Sequence, residues 1–314
     1  VIGYKTKELT LGNETTLTVT LDDDVALLDE IVVVGYGEQK KKLVTGANVQ
    51  VAGETLQKQN MLNPLQSLQG QAPGVSITST SGQPGSDMKV IIRGMGTIGN
   101  SGPLYVIDGI PGGDIAVINP ADIVSIDVLK DAASAAIYGA QAANGVVLVT
   151  TRSGRVGKGQ VTFDAYTGWQ TVSRQVDMLN AKEYKIIMNE QALNSGAAPI
   201  DFSSMGELAN TNWMDYMLKD NARTSNYNLG ISGGTETSLY SISFNYIDQE
   251  GVVGGKGVSY YERYGARLNS EHKLYGNFLR VGQHLNFNFI KNNGINVGNQ
   301  YNNTLRGAYI TSPL

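Results

Sequence analysis

Residues Tyr240-Ser241-Ile242-Ser243-Phe244-Asn245-Tyr246 alternate an apolar or aromatic side chain with a small polar one at every step. Successive side chains of a strand point to opposite faces, so this period of two reads as a strand with one apolar and one polar face. The pattern recurs on both sides. Tyr227, Leu229 and Ile231 alternate with Asn226, Asn228, Gly230 and Ser232. Tyr264, Ala266 and Leu268 alternate with Arg263, Gly265, Arg267 and Asn269, and Leu285, Phe287 and Phe289 with His284, Asn286 and Asn288. Earlier, Val161, Phe163, Ala165 and Trp169 alternate with Thr162, Asp164 and Gly168. The text from residue 159 onward thus predicts roughly five strands.

Alternation alone fits a soluble sandwich with one wet face. Three details favour a membrane barrel. The segments approach ~10 residues, longer than the usual ~5–6. Tyr and Trp stand at strand ends, as in interfacial girdles, and the polar face is rich in Asn, Ser and Arg, as in a wet lumen. Residues 178–224 interrupt the strands as a long insertion suited to the loop side of a barrel. In it, Asn180-Ala181-Lys182-Glu183-Tyr184 opens an expected amphipathic helix with Ile187 and Met188.

Upstream, residues 46–154 read as a compact α+β unit of short elements. Asn63-Pro64 opens a helix and Gly70 closes it. Val90 to Arg93 and Leu104 to Asp108 are strands ended by Gly94 and Gly109. Asn119-Pro120 starts a helical turn, Ser125 to Leu129 is a strand, and Asp131 caps a small-residue helix from Ala132 to Tyr138 ended by Gly139. Val146 to Thr151 is the last strand. Before this unit lies an isolated β-branched run, Asp29-Glu30-Ile31-Val32-Val33-Val34-Gly35, followed by Lys40-Lys41-Lys42. With polar flanks and no neighbouring strand, the run reads as a tethered segment able to add to the open edge of another sheet. Ten residues of extended tether reach ~33–36 Å. Residues 1–28 look like the last hairpin of a small sandwich, and the whole is read as a piece of a longer, processed protein.

Composition narrows the chemistry. The 314 residues hold 38 Gly and no Cys, with 17% charged side chains and a formal net charge of -4. Thiolate metal sites, disulfides and Cys nucleophiles are excluded, and an acidic balance argues against nucleic acid. His272 and His284 are the only imidazoles. Gly94-Met95-Gly96-Thr97-Ile98-Gly99 has dinucleotide-site spacing, but a loop follows where a helix is needed. Gly230-Ile231-Ser232-Gly233-Gly234 has nucleophile-elbow spacing, but an alternating strand follows where a helix is needed. No enzyme, cofactor or metal is expected.

The residues resemble the SusC/RagA type of TonB-dependent outer-membrane transporter of Bacteroidetes. The likeness is carried by Leu28 to Gly37, Leu68-Gln69-Gly70-Gln71-Ala72-Pro73-Gly74-Val75, Ile92-Arg93-Gly94 and Pro103 to Pro111. It continues through Asn119 to Ile123, Ile126 to Ala132, Ile137-Tyr138-Gly139 and Ala143 to Val147, then Ser232 to Glu236 and Asp248 to Gly251. The resemblance implies an α+β plug inside a large antiparallel transmembrane β-barrel, of which only the first strands stand here. It implies the end of a carboxypeptidase-regulatory-like sandwich at 1–28, a Ton box and tether at 29–45, a plug at 46–154 and barrel strands at 155–314. Asp29, Glu30, Ile31, Val32, Val33, Val34 and Gly35 would bind TonB. Arg93, Gly94, Asp108, Gly109, Lys130, Asp131, Tyr138 and Gly139 would be structural or gating residues of the plug. The implied activity is active import of a large nutrient, an oligosaccharide, across the outer membrane, energised by the inner-membrane proton gradient through TonB, with a SusD-like lid lipoprotein as partner and lipid around the barrel. A peptide importer of the same fold, or a receptor that signals to the periplasm, is the alternative.

Overall fold

The computed structural model describes residues 48–131, 135–203, 209–276 and 278–314, and the backbone of 31–34 and 37–40. The hairpin expected in 1–28, together with Asp29, Glu30 and Gly35, lies outside them. Strands β1 (Ile31–Val34) and β2 (Gly37–Lys40) pair antiparallel, Ile31 opposite Lys40 and Val34 opposite Gly37. The β-branched run therefore has a neighbour that its flanks did not announce. Gly37-Glu38-Gln39-Lys40 carries no strand pattern, and ladder pairing needs only backbone groups.

The α+β unit is built on a five-stranded sheet of β3 (Asn48–Ala52), β6 (Leu104–Ile107), β7 (Ile110–Pro111), β8 (Ile123–Leu129) and β9 (Val146–Thr151), in the order β3-β8-β9-β6-β7. The β6–β9 pair is parallel and the others are antiparallel. A separate hairpin joins β4 (Val75–Ser79) to β5 (Met88–Ile92). Helix α1 (Gly53–Gln57) packs on β3 and β8 of the sheet, and α2 (Pro64–Leu68) against α1 and the β4–β5 hairpin. Asn63 Oδ1 accepts the Leu65 N–H at 2.9 Å, and Asn119 Oδ1 does the same for Ala121. Both Asn-Pro starts thus act as the sequence predicts. Leu56, Leu68, Ile123, Ile126, Val128 and Val147 are buried together, each worth ~1.5–3 kcal/mol of transfer free energy. At Gly53 a Cβ would overlap the carbonyl of Ile123, so only glycine lets α1 approach β8.

One expected boundary falls at Gly139. Residues 132–134 lie outside the described ones, and the described part is two short 3-10 turns within Ala136–Ala142 that meet at Gly139. Gly139, at φ 65° and ψ -152°, is not helical and ends the first of these turns, as expected. Lacking a Cβ, it takes that turn without strain.

The alternating text forms one antiparallel sheet in chain order: β10 (Gly157–Gln170), β11 (Ala222–Gly234), β12 (Ser238–Glu250), β13 (Tyr260–Leu274) and β14 (Leu279–Asn293). The strands hold 13 to 15 residues, where ~9–11 tilted residues cross a membrane. Register lines up Phe163, Leu229, Phe244, Ala266 and Phe287 in one outward row, and Ala165, Tyr227, Tyr246, Tyr264 and Phe289 in the next. The rings of the second row lie 6.3, 4.8 and 6.4 Å apart in sequence across the sheet. Among the described residues no helix is long and apolar enough to cross a membrane. The long connections, 171–221 and 251–259, leave one end of the sheet, and the short ones, 235–237 and 275–278, leave the other.

Helix α3 (Ala181–Asn194) begins with a complete capping box between Asn180 and Glu183. It is not amphipathic, however. Ile186 is 66% exposed, and Ile187 and Leu193 are exposed as well. Capping alone marked its start. Helices α4 (Trp213–Met217) and α5 (Thr304–Ile310) pack against each other at the long-connection end, where Trp213 Nε1 donates to the Ser312 carbonyl at 2.7 Å. The polar face of the wall is not simply wet either: Ser243, Asn245, Arg263, Arg267 and Asn269 are buried beneath the α+β unit.

Phe244 stands in the middle of the outward band and is 52% exposed. In the complete protein, Phe244→Arg is expected to cost ~2–4 kcal/mol of folding stability in lipid vesicles, against ~0–1 for Gln283→Arg near the band edge. Urea unfolding of both variants measures the difference, and equal costs would reject the facing described here.

Candidate functional site

The α+β unit meets the wall along a polar seam that starts from one turn. Asp108 and Gly109 both have positive φ, 48° and 83°, which reverses the chain from β6 into β7. The turn sets the Asp108 carboxylate beside the end of β9, where it accepts the Thr151 N–H at 2.8 Å and the Thr151 hydroxyl at 2.6 Å. From β13, the Arg267 guanidinium pairs with the same carboxylate and donates to Thr151 Oγ1 at 2.5 Å. Two residues on, Asn269 Nδ2 donates to Thr151 Oγ1 at 2.9 Å and to the Arg152 carbonyl at 2.8 Å. His284 Nδ1 lies 3.1 Å from Asn269 Oδ1 and 3.7 Å from Asp108 Oδ2. Removing one partner of a buried ion pair of this kind costs ~3–5 kcal/mol.

Further contacts extend the seam. Ser243 Oγ donates to Asp122 Oδ2 at 2.7 Å, Arg263 Nη1 donates to the Ala116 carbonyl at 2.6 Å, and Asn119 Nδ2 donates to Asn226 Oδ1 at 3.2 Å. Toward the long-connection end, the Gly85 N–H donates to Gln249 Oε1 at 3.3 Å. A Cβ at Gly85 would overlap the Tyr261 ring. The loop between β4 and β5 therefore lies flat against the wall.

The sequence-predicted residues fall into three places. Asp108 and Gly109 are in the seam. Arg93, Lys130, Asp131 and Gly139 line a recess of about 260 Å³ at the opposite end of the sheet. There Arg93 pairs with Asp131 at 2.5 Å and Lys130 Nζ donates to the Pro73 carbonyl at 3.0 Å. Gly94 follows Arg93 in a left-handed turn, and Tyr138 packs on the small cluster around Leu129 and Val146. The Arg93 side chain is 54% exposed, so its pair is worth only ~0–1 kcal/mol. Ile31 to Val34 form β1.

Sequence reasoning placed Arg263, Arg267 and Asn269 on the polar face but gave them no role. The available signal was charge: Arg263 and Arg267 flank Gly265 on one parity of β13, between Tyr261 and Asn269. Burial raises the Asp122 carboxyl above its ordinary value. The Ser243 hydrogen bond and the positive charges of Arg267, Arg152 and Arg263 oppose that shift. Burial, with Asp114 nearby, pushes the Tyr105 phenol up to about 12. A carboxyl with a raised folded pKa gives stability that is present below its unfolded value, 3.8, and is lost as pH rises through the folded value. Relative to Asp122→Asn, the wild-type protein is therefore expected to lose thermal stability as pH rises above 3.8. Melting curves of both proteins across that range test this, and parallel curves would refute it.

Residues 40–146 match the family described as TonB-dependent Receptor Plug Domain. Over 96% of its length the chain is 36% identical to TonB-dependent receptor P39 of Formosa agariphila, covering 29% of that protein. It is 32% identical over 95% of its length to TonB-dependent receptor SusC of Bacteroides thetaiotaomicron, covering 30% of it. The fold is similar to the RagAB peptide importer in its open-open state, with a TM-score of 0.72 and 30% identity over 84% of this chain and 32% of that one. The chain spans less than a third of the length of these relatives. It carries a TonB-dependent receptor plug followed by the antiparallel wall strands of such receptors, and it resembles the SusC/RagA type.

Proposed function

We propose that the complete protein imports a large nutrient across the outer membrane, drawing energy from the inner membrane through TonB. The observation that carries the reading is the seam: a small globular unit is fastened to the polar face of a wall whose other face is apolar. That is the arrangement of a closure within a pore, and a closure fastened by side chains is released by pulling. Long connections on barrels of this kind face outward and short turns face the periplasm, so 171–221 and 251–259 are read as extracellular.

Residues Asp29 to Gly35 are proposed as the TonB-binding segment. In a two-stranded hairpin each strand keeps one open edge, so β1 can take up a further strand while paired with β2. Likeness to SusC supports an oligosaccharide as cargo, with a SusD-like lipoprotein as lid, and likeness to RagAB supports a peptide. Residues 1–28 are proposed as the end of a sandwich domain ahead of the segment. No step of this process asks for a catalytic side chain or a cofactor.

Deleting residues 29–35 from the complete protein is expected to leave cargo binding unchanged and to abolish uptake in whole cells. Uptake that persists in the deletion strain would overturn the energy coupling assigned to this segment.

A further inference from the structure

A cavity of about 280 Å³ lies between plug and wall near the long-connection end. Carboxamide side chains line it from both sides. Asn60, Asn63, Gln66 and Gln83 come from the plug, and Gln170 and Gln249 from the wall. The fold uses few of their polar atoms. Asn63 Oδ1 accepts the Leu65 N–H, and Gln249 Oε1 accepts the Gly85 N–H. The side-chain amides of Asn60, Gln66, Gln83 and Gln170 make no hydrogen bond among the described residues. Asn60, Gln66 and Gln170 are exposed. Among the described residues no Asp, Glu, Lys or His lines the space. The one lining cation, Arg263, is buried and spends its side chain on the Ala116 carbonyl and the Tyr261 hydroxyl. The cavity is therefore polar without offering a free charge.

That chemistry selects a class of ligand. A carboxamide carries an acceptor oxygen and two N–H donors. A sugar hydroxyl likewise donates and accepts, so amides on two sides match a ring that bears hydroxyls around its edge. Tyr166 and Met61 also line the cavity and supply apolar surface for the C–H groups of such a ring. A free peptide brings an ammonium and a carboxylate, and a uronic acid brings a carboxylate. Taking those charges out of water without a partner costs far more than burying a hydroxyl that finds one. The volume stands at the lower end of small-molecule sites, which suits one ring of a chain rather than the whole chain.

We propose that this cavity is a subsite for one neutral sugar ring of the cargo, held between the plug amides and those of Gln170 and Gln249. The proposal rests on the import reading and deepens it: the cargo met here is a neutral saccharide, not a peptide or an acidic glycan. A ring bound there touches plug and wall together, on the side read as extracellular.

The test is calorimetric titration of the complete transporter in a detergent without a sugar headgroup. Maltotriose, cellotriose, mannotriose and galactotriose are the neutral probes, and trigalacturonic acid and trialanine the charged ones. At least one neutral trisaccharide is expected to bind, at least about tenfold more tightly than either charged probe. Gln66→Ala and Gln170→Ala each remove an amide that the fold does not use, one from the plug and one from the wall. Each is expected to weaken that binding about three- to tenfold, as the loss of a neutral hydrogen bond implies. The heat-dependent gel shift of a folded barrel checks both variants, and if one fails it the other decides. No binding of any neutral trisaccharide at millimolar concentration, a charged probe that binds as tightly as the best neutral one, or affinity unchanged in a folded variant would each overturn the subsite. Uptake that still depends on residues 29–35 while no neutral trisaccharide binds removes the subsite and leaves import standing. Trisaccharide binding that weakens in both variants while uptake survives that deletion does the reverse.

Discussion

The contact that organises this structure is the knot of Asp108, Thr151 and Arg267. It joins the two halves of the chain across 159 positions, and each member depends on the others. The left-handed turn at Asp108 aims the carboxylate, the end of β9 supplies two donors from Thr151, and β13 supplies the cation. None of these groups could be buried alone, because an unpaired charge in a dry setting costs several kcal/mol. The knot therefore also fixes register. A slip of one residue in β13 would send Arg267 to the apolar side and bring Ala266 or Leu268 to face Asp108.

The outward face obeys the same parity. Each inward Arg, Ser or Asn implies an outward neighbour of the opposite kind, and the row of Tyr227, Tyr246, Tyr264 and Phe289 is the result. Cross-strand pairs of this sort contribute ~0.2–1 kcal/mol each. Among the described residues, β10 and β14 each pair on one side only, and open edges in lipid leave backbone groups unsatisfied. A sheet of this kind is stable in a membrane only as part of a larger closed wall, which agrees with the fraction of its relatives that the chain spans.

Much of this was legible in the sequence, for identifiable reasons. The wall strands were legible because a period of two is a direct image of backbone geometry. The helix starts at Asn63, Asn119 and Asn180 were legible because a cap is a local hydrogen bond. What escaped was non-local or pattern-free. Nothing near Arg263 announces the Ala116 carbonyl, 147 positions away. The segment Gly37–Lys40 pairs through backbone atoms that every residue has. Helix α3 is held by its cap and not by a buried face, so Ile187 and Met188 misled on its amphipathicity. Gly139 reads as a terminator in the sequence, and its non-helical φ and ψ do end the turn before it.

Arg263 and Arg267 sharpen the point about what stability alone explains. They lie on one strand, share one parity and are both almost completely buried. Arg267 has a carboxylate in direct contact, whereas Arg263 has the Ala116 carbonyl, the Tyr261 hydroxyl and two more distant carboxylates. Each unmet buried donor costs ~1–3 kcal/mol, and apolar replacements of buried ions are often neutral or stabilising. Ile247, fully buried and lining the same cavity, shows that the seam accepts such a side chain there. Among the described residues each guanidinium keeps two buried nitrogens without a hydrogen bond, Nε and Nη2 of Arg263 and Nε and Nη1 of Arg267, so both carry part of that cost. The direct carboxylate beside Arg267 offsets more of it than the neutral carbonyl and hydroxyl beside Arg263 do.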